Sequence, residues 1–287
     1  MQTWAIIYNP TSGRHSPSKL EAVQELLHGH EVRAALHPTT YAGHATEIAR
    51  TVTGVERVLS YGGDGTLNEV AGGLLGRDIP LMFVPGGTAN AMAYELGIPR
   101  DPVKAVTALL QGEPRPIRPG QVGGRVFMLM VGFGFDATIV KLVSVGVKAK
   151  LGAMAYVVNG FRALLHPKPE ILVETPLGTL RGVWVVGARA RRYGGMFYVH
   201  PRAALTRPDL GVVVVNKAMI APFAFTNLIF GTRFTNGGIR LEDHSAFRIS
   251  CEEPVAAQVD GEYLGEGTSF AVGISQQTLL FCLPVRK

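Results

Sequence analysis

The chain has two cysteines in 287 residues, Cys251 and Cys282, and they do not form a CxxC pair. That excludes a thiolate zinc site and a dithiol redox motif, and two buried thiols in a reducing compartment are expected. Charge is also sparse. Only 17% of residues are Asp, Glu, Lys or Arg, against 47% hydrophobic, where a globular protein averages about a quarter charged. Such a chain folds, and intrinsic disorder is excluded. Long apolar runs are missing: the most apolar stretch, 219–230, contains Pro222, Thr226 and Asn227 and is too short to cross a bilayer. The opening Met1–Tyr8 lacks a charged n-region and a long apolar segment, so no signal peptide and a cytoplasmic location are expected. Two nucleotide fingerprints are absent as well. There is no G-x-x-x-x-G-K-[ST], and no G-x-G-x-x-G after the first apolar run, which removes a P-loop lysine and weakens a dinucleotide dehydrogenase. No zinc-finger or RNP-like aromatic motif occurs, so nucleic acid is not an expected partner.

What is abundant is glycine, 35 residues, about 12% against a usual ~7%. With no G-X-Y period, the excess belongs in turns and in loops where backbone approaches a ligand. Net charge is +6, which suits an anionic partner without naming it.

The first hundred residues repeat one pattern four times. A short apolar run ends at a Gly- or Pro-rich loop, and an amphipathic helix follows: 4–8, 57–61 and 80–84 lead into Asn9–Gly13, Gly62–Gly65 and Gly86–Gly87. Ser16 and Pro17 read as the N-cap and first position of a helix striped by Leu20, Val23, Leu26 and Leu27. Strand–loop–helix repetition predicts a doubly wound parallel α/β sheet. After the breaker Gln111–Pro116 the pattern becomes alternating Val-, Phe- and Tyr-rich runs with one helical stretch, 145–165, which predicts an antiparallel β-rich domain. The expected boundaries are 1–121, with 277–287 able to return to it, and 122–276.

In an open α/β sheet, ligands bind beyond the carboxyl ends of the strands, where three glycine loops fall together. Their free N–H groups and helix N-termini suit phosphate. Asp64 stands between glycines in the second loop. Facing polyphosphate, it implies a divalent cation or a proton to handle, hence Mg²⁺-dependent phosphoryl transfer. Equally, it could cap a helix starting near Thr66.

Gly62-Gly-Asp-Gly-Thr-Leu-Asn-Glu-Val-Ala-Gly-Gly-Leu74, Pro85-Gly-Gly-Thr-Ala-Asn-Ala-Met-Ala93, Asn9-Pro-Thr-Ser-Gly13 and Val259-Asp-Gly-Glu262 occur in the chain. Together they resemble the signatures of the diacylglycerol kinase catalytic-domain superfamily, a fold shared with NAD kinases. The resemblance implies ATP held by Asn9, Pro10, Thr11, Ser12 and Gly13, by Thr39, by Gly62, Gly63, Asp64, Gly65, Thr66, Leu67 and Asn68, and by Gly87 and Thr88. It implies Glu262 as the base that deprotonates a lipid hydroxyl, with Asp260 beside it and Asp64 as a rival base or Mg²⁺ partner. The bland meaning of Asp260-Gly261 is a hairpin turn. The family usually carries an Asp-Gly pair for a structural Mg²⁺. Here Leu210 separates Asp209 from Gly211, so a site from Asp209 with carbonyls of Thr206 and Gly211 is weakened.

Residues 137–207 carry 11 Lys+Arg and 2 Asp+Glu, whereas 241–266 carry 7 Asp+Glu and 1 Arg. The basic middle could dock on anionic lipid headgroups, and Lys141–Leu165 could form an interfacial helix or an ordinary amphipathic one. Arg189, Arg191 and Arg192 could equally face ATP phosphates. The expectation is an ATP- and Mg²⁺-dependent lipid kinase, peripheral to a membrane during turnover, with room for a homodimer. Its rivals are an NAD-kinase-like enzyme acting on a soluble hydroxyl and a catalytically weak nucleotide- and lipid-binding regulator.

Overall fold

In a computed structural model of the chain, the described residues are 1–13, 15–145, 160, 162–193, 197–220 and 238–285. They form two compact units, 1–119 with 275–287, and 120–274.

The first unit opens with β1 (Gln2–Tyr8), α1 (Pro17–Gly29), β2 (Val32–Pro38), α2 (His44–Thr51), β3 (Arg57–Gly62), α3 (Asp64–Leu74), β4 (Leu81–Pro85), α4 (Ala91–Leu96), α5 (Pro102–Leu110) and β5 (Pro114–Ile117). Its caps are local chemistry. Ser16 accepts from the Lys19 N–H ahead of Pro17, and Asp101 accepts from the Lys104 N–H ahead of Pro102. β1, β3 and β4 are buried on both faces, from Trp4–Ile7 to Leu81–Val84, as the central strands of a parallel sheet must be.

The second unit holds β6 (Gly120–Val122), β7 (Arg125–Phe127), β8 (Met130–Gly134), α6 (Phe135–Val145), β9 (Ile171–Thr175), β10 (Gly178–Gly182), β11 (Trp184–Ala188), β12 (Arg192–Tyr193), β13 (Phe197–Tyr198), β14 (Leu210–Val215), β15 (Ile239–His244), β16 (Ala246–Val259) and β17 (Glu262–Ile274). The chain then returns to the first unit as β18 (Leu279–Cys282).

The first sheet has the order β2-β1-β3-β4-β18-β5. All its pairs are parallel except β18 with β5 at the edge. The second sheet runs β15-β14-β11-β8-β16-β17-β6-β7, with β9 on β16 and β10 on β9, antiparallel throughout. Its core packs Phe127, Phe133, Val173, Val185, Val212 and Val259 together. The α/β and antiparallel β classes expected from the sequence are both present.

Three readings change. The run 125–131 is two strands, because the chain turns at Met128–Leu129. A helix stands at 135–145, as α6, ahead of the expected stretch, and of the helix expected at 145–165 residues 160 and 162–165 are helical. Of that stretch, 146–159 and 161 lie outside the described residues, which covers Lys148, Lys150 and most of the expected interfacial helix. The apolar stretch 219–230 is described only to Ile220. Finally, the short strands expected at 246–251 and 270–272 are the ends of one long hairpin. No helix among the described residues is long and apolar enough to cross a membrane.

Candidate functional site

In the first unit the loops after β1, β3 and β4 meet at one sheet edge, because those three strands are parallel neighbours. Backbone bonds bind them together. The Asn9 N–H donates to the Tyr61 carbonyl (3.1 Å), and the N–H groups of Gly86 and Gly87 both donate to the Gly62 carbonyl (2.7 and 3.2 Å). Glycine is required at this contact, since a Cβ on Gly87 would lie 2.6 Å from the Gly63 Cα. Asn9 makes the first loop an Asx turn, its Oδ1 accepting from the N–H and Oγ1 of Thr11 (2.9 and 2.8 Å). Gly13 approaches Thr88, whose Oγ1 would stand 3.0 Å from a Cβ there. The Thr39 N–H donates to the Tyr8 carbonyl (2.8 Å) and so places Thr39 beside the first loop.

This edge can hold an anion through N–H groups and hydroxyls. The segments 9–13, 62–68 and 86–90 contain no Lys or Arg. Ser12 Oγ and Asn68 Oδ1 are buried without a hydrogen-bond partner. Orphaned buried polar atoms of this kind mark a place where a ligand or water completes the shell.

Asp64 does something the sequence did not suggest. α3 begins at Asp64 itself rather than near Thr66, and the carboxylate caps a different helix. Its Oδ2 accepts from the Ala91 N–H (2.9 Å) and its Oδ1 from the Met92 N–H (3.0 Å) at the start of α4. Burial raises its pKa while those N–H bonds oppose the rise. Each oxygen takes one backbone N–H, so Asp64 holds the second and third loops together.

Two further clamps went unassigned in the sequence. Asn90, in the left-handed region with φ 50°, closes its loop on itself: Oδ1 accepts from the Gly87 N–H (2.9 Å) and Nδ2 donates to the Gly87 carbonyl (2.7 Å). Glu69 accepts from the N–H groups of Gly43 and Ala45 (2.9 and 3.1 Å) and so fixes the loop that follows Thr39. Both residues sit inside the quoted motifs, and that was the available signal.

In the second unit, Asp260 and Gly261 form the two-residue turn between β16 and β17, with φ 49° and 86° and Val259 opposite Glu262. Asp260 is more than a turn residue. Its carboxylate accepts from the N–H groups of Met128, Leu129 and Met130 (2.7, 2.9 and 2.8 Å) and ties the hairpin tip to the start of β8. Glu262 follows with 53% of its side chain exposed, paired with Arg125. Asp260 is a holder and Glu262 is the accessible carboxylate.

The expected structural metal site is not formed. Asp209 gives its carboxylate to Arg207, with Nε 2.7 Å and Nη2 2.8 Å away, and that guanidinium lowers its pKa. The loop carbonyls turn onto Arg189, which is fully buried. Its guanidinium donates to the carbonyls of Arg207 (3.0 Å), Asp209 (2.6 Å) and Leu205. Gly211 is paired in the sheet on both sides, opposite Ala188 and Asp243. A cation already fills this loop, and a divalent ion beside it would be repelled, so the donor set of Thr206, Asp209 and Gly211 does not fit Mg²⁺. Among the described residues no group of three or more His, Cys, Asp or Glu side chains could hold a metal. The same burial removes Arg189 from any role on ATP phosphates, and pushes its pKa down to about 10. Arg192 stacks over Tyr198 at 4.7 Å.

Comparison with known proteins identifies the family and the fold. The family model described as the diacylglycerol kinase catalytic domain matches residues 3–122. A diacylglycerol kinase of Bacillus subtilis is 31% identical over 276 residues, covering 92% of this chain and 91% of that protein. One from Staphylococcus carnosus is 28% identical over 276 residues, covering 91% and 89%. Among solved structures, a diacylglycerol kinase from Bacillus anthracis superposes with a TM-score of 0.77 at 18% identity, over 98% of this chain and 97% of that one. An NAD kinase from Archaeoglobus fulgidus in complex with ATP gives 0.53 at 14% identity, over 97% and 92%. At those identities the two structures speak for the fold alone.

Proposed function

The chain belongs to the diacylglycerol kinase family, and from that premise we propose that it transfers the γ-phosphoryl group of ATP to the hydroxyl of a diacylglycerol-like lipid. The observation that carries the reading is the convergence of three glycine loops on one sheet edge, with no lysine or arginine among them and two orphaned polar side chains, Ser12 and Asn68.

The nucleotide enters as its Mg²⁺ complex, the metal arriving with the substrate and neutralising phosphate charge. The loops Asn9–Gly13, Gly62–Asn68 and Gly87–Thr88 line the phosphates and hold them through those of their N–H groups and hydroxyls that are not already bonded within the loops, and Thr39 touches the nucleotide. Asp64, Asn90 and Glu69 keep those loops in place. Glu262 accepts the hydroxyl proton as the lipid oxygen forms a bond to the γ-phosphorus. The bond from that phosphorus to the β,γ-bridging oxygen breaks, and ADP leaves. Asp260 fixes the turn that carries the base. The lipid is taken from a membrane surface. The names of the bacterial relatives support a diacylglycerol over a sphingoid base, and the likeness to NAD kinase is one of fold.

The test is transfer from γ-labelled ATP with Mg²⁺, offering diacylglycerol in mixed micelles and NAD in solution. Label is expected in lipid phosphate. Label in NADP alone, or ATP binding with no transfer to any lipid, overturns the proposal. Glu262→Gln is expected to cut kcat by roughly 10²–10⁴-fold and to shift Tm by less than about 2 °C.

A further inference from the structure

The second unit buries an acid that the mechanism above does not use. Asp136 lies in the first turn of α6 and is 2% exposed, and Gln258 of β16 is 0% exposed. Asp136 Oδ2 accepts from Gln258 Nε2 (3.0 Å). The other end of the same amide, Gln258 Oε1, accepts from the Gly261 N–H (2.8 Å). Gly261 is the second residue of the turn, and Glu262 is next.

Chemistry fixes the direction of this chain. The turn's N–H can only donate, so it takes the carbonyl end of the amide. The NH₂ end is then left for Asp136, whose Oδ2 accepts it. Both contacts are direct, at 3.0 and 2.8 Å, and leave no gap for a water between the groups. The backbone makes room for the contact: Gly132 of β8 lies opposite Gln258, and a Cβ there would stand 1.9 Å from Asp136 Oδ2 and 2.6 Å from Gln258 Nε2. Any side chain at 132 would displace the pair.

We propose that Asp136 is a positioning residue for phosphoryl transfer: through Gln258 it sets the Asp260–Gly261 turn and thereby the aim of Glu262. The proposal rests on the reading of Glu262 as the base. Asp260 anchors the turn to β8 from one side, and the Asp136–Gln258 link holds its second peptide from the other. A turn held at only one of its two peptides can rotate, and a base displaced by about 1 Å costs on the order of a hundredfold in rate.

The link can be broken and rebuilt without changing its shape. Asp136→Asn puts an NH₂ where an acceptor stood and sets two donors against each other somewhere in the cluster. The pair Asp136→Asn with Gln258→Glu restores every donor–acceptor match with the two groups exchanged, the carboxylate now at position 258 accepting from both the amide at position 136 and the Gly261 N–H. Amide exchange at Gly261 reads the turn directly and is independent of activity; kcat reads its consequence. Asp136→Asn is expected to speed Gly261 exchange by at least about tenfold and to lower kcat by about ten- to a hundredfold, with the KM for ATP within about twofold. The double variant is expected to recover both to within about threefold of the original. Gln258→Met, which keeps the length and removes both bonds, is expected to match Asp136→Asn, and serves in its place should that variant not fold. Unchanged Gly261 exchange in the single variants, or a double variant no better than they are, overturns the link. Exchange that responds while kcat does not shows that Glu262 is not the base, and the failure then lies with the functional reading of that residue.

Discussion

At the scale of single residues, four carboxylates show how environment assigns the role. Asp64 and Asp260 both accept from backbone N–H groups and act as clamps. Glu262 meets one exposed guanidinium and stays accessible. Asp136 is the extreme case: burial raises its pKa to about 7, although Gln258, the Ala137 N–H and Trp184 all favour its charged form. The raised value predicts a pH dependence of stability. Between about pH 4 and pH 7 the folded chain keeps a proton that the unfolded chain has released. The contribution of this group is therefore fully present below the unfolded pKa and is lost as pH rises through about 7, a swing on the order of 4 kcal/mol. Asp136→Asn carries no such proton. Whatever its stability at pH 5, its Tm relative to the parent is expected to climb from pH 5 to pH 8 in parallel melting curves. A constant difference across that range would show that Asp136 does not titrate there.

At the scale of elements, the parallel sheet was legible because β1, β3 and β4 are mostly apolar runs and the loops after them announce themselves by Asn-Pro, Gly-Gly or Pro-Gly-Gly. The ordered motifs placed the candidate loops for the same reason. The antiparallel half was harder to read. α6 is Phe-Asp-Ala-Thr-Ile-Val-Lys-Leu-Val-Ser-Val, rich in β-branched residues that favour strands, and only its packing makes it helical. The β16–β17 hairpin is interrupted by register shifts between Ser250 and Val255 and between Ala257 and Gln258, which break the alternation that reveals a strand. The contacts of Asp136 and Arg189 span 122 and 16 to 20 positions, and no local pattern encodes them. Arg189 matters most for the 205–209 loop, whose carbonyls it gathers as a cation would. Arg189→Met keeps the apolar stem and leaves three carbonyls without a donor, each worth about 1–3 kcal/mol if it stays buried. A fall in Tm of several degrees is expected. A chelator is expected to leave the Tm of the parent protein unchanged, since no divalent ion is needed to hold that loop. A Tm that drops with EDTA and returns with Mg²⁺ would refute the guanidinium as its organising cation.

At the scale of the whole molecule, the charge imbalance reads differently once the side chains are placed. Much of the basic excess of 137–207 is spent within the second unit: Lys141 pairs with Glu266 (2.6 Å), Arg181 with Glu170 (2.7 Å), Arg202 with Asp243 (2.7 Å), and Arg207 with Asp209 (2.7 Å). Arg189 is buried. The acidic stretch 241–266 supplies two of those partners, Glu266 and Asp243, so the two charged regions meet at Lys141 and Arg202. Two cations, Lys168 and Lys217, line an open cavity of about 430 Å³ beside the Arg181–Glu170 pair. Lys168 donates to the carbonyls of Leu164 (2.5 Å) and His166 (3.0 Å), and its pKa is lowered, first by burial and then by the charge of Lys217. If the lipid is met at an anionic membrane surface, Lys168 and Lys217 are expected among the contacts. Each cation at such a surface contributes about 1 kcal/mol, so Lys168→Ala with Lys217→Ala is expected to weaken binding to phosphatidylserine-containing vesicles roughly 30-fold. Binding to the parent protein should fall steeply as salt rises from 50 to 300 mM, because the Debye length then shrinks below about 10 Å. The double variant should keep its turnover on diacylglycerol in neutral detergent micelles, where no headgroup charge is on offer. Vesicle binding that ignores both the substitutions and the salt would place membrane contact elsewhere on the chain, on apolar rather than charged groups.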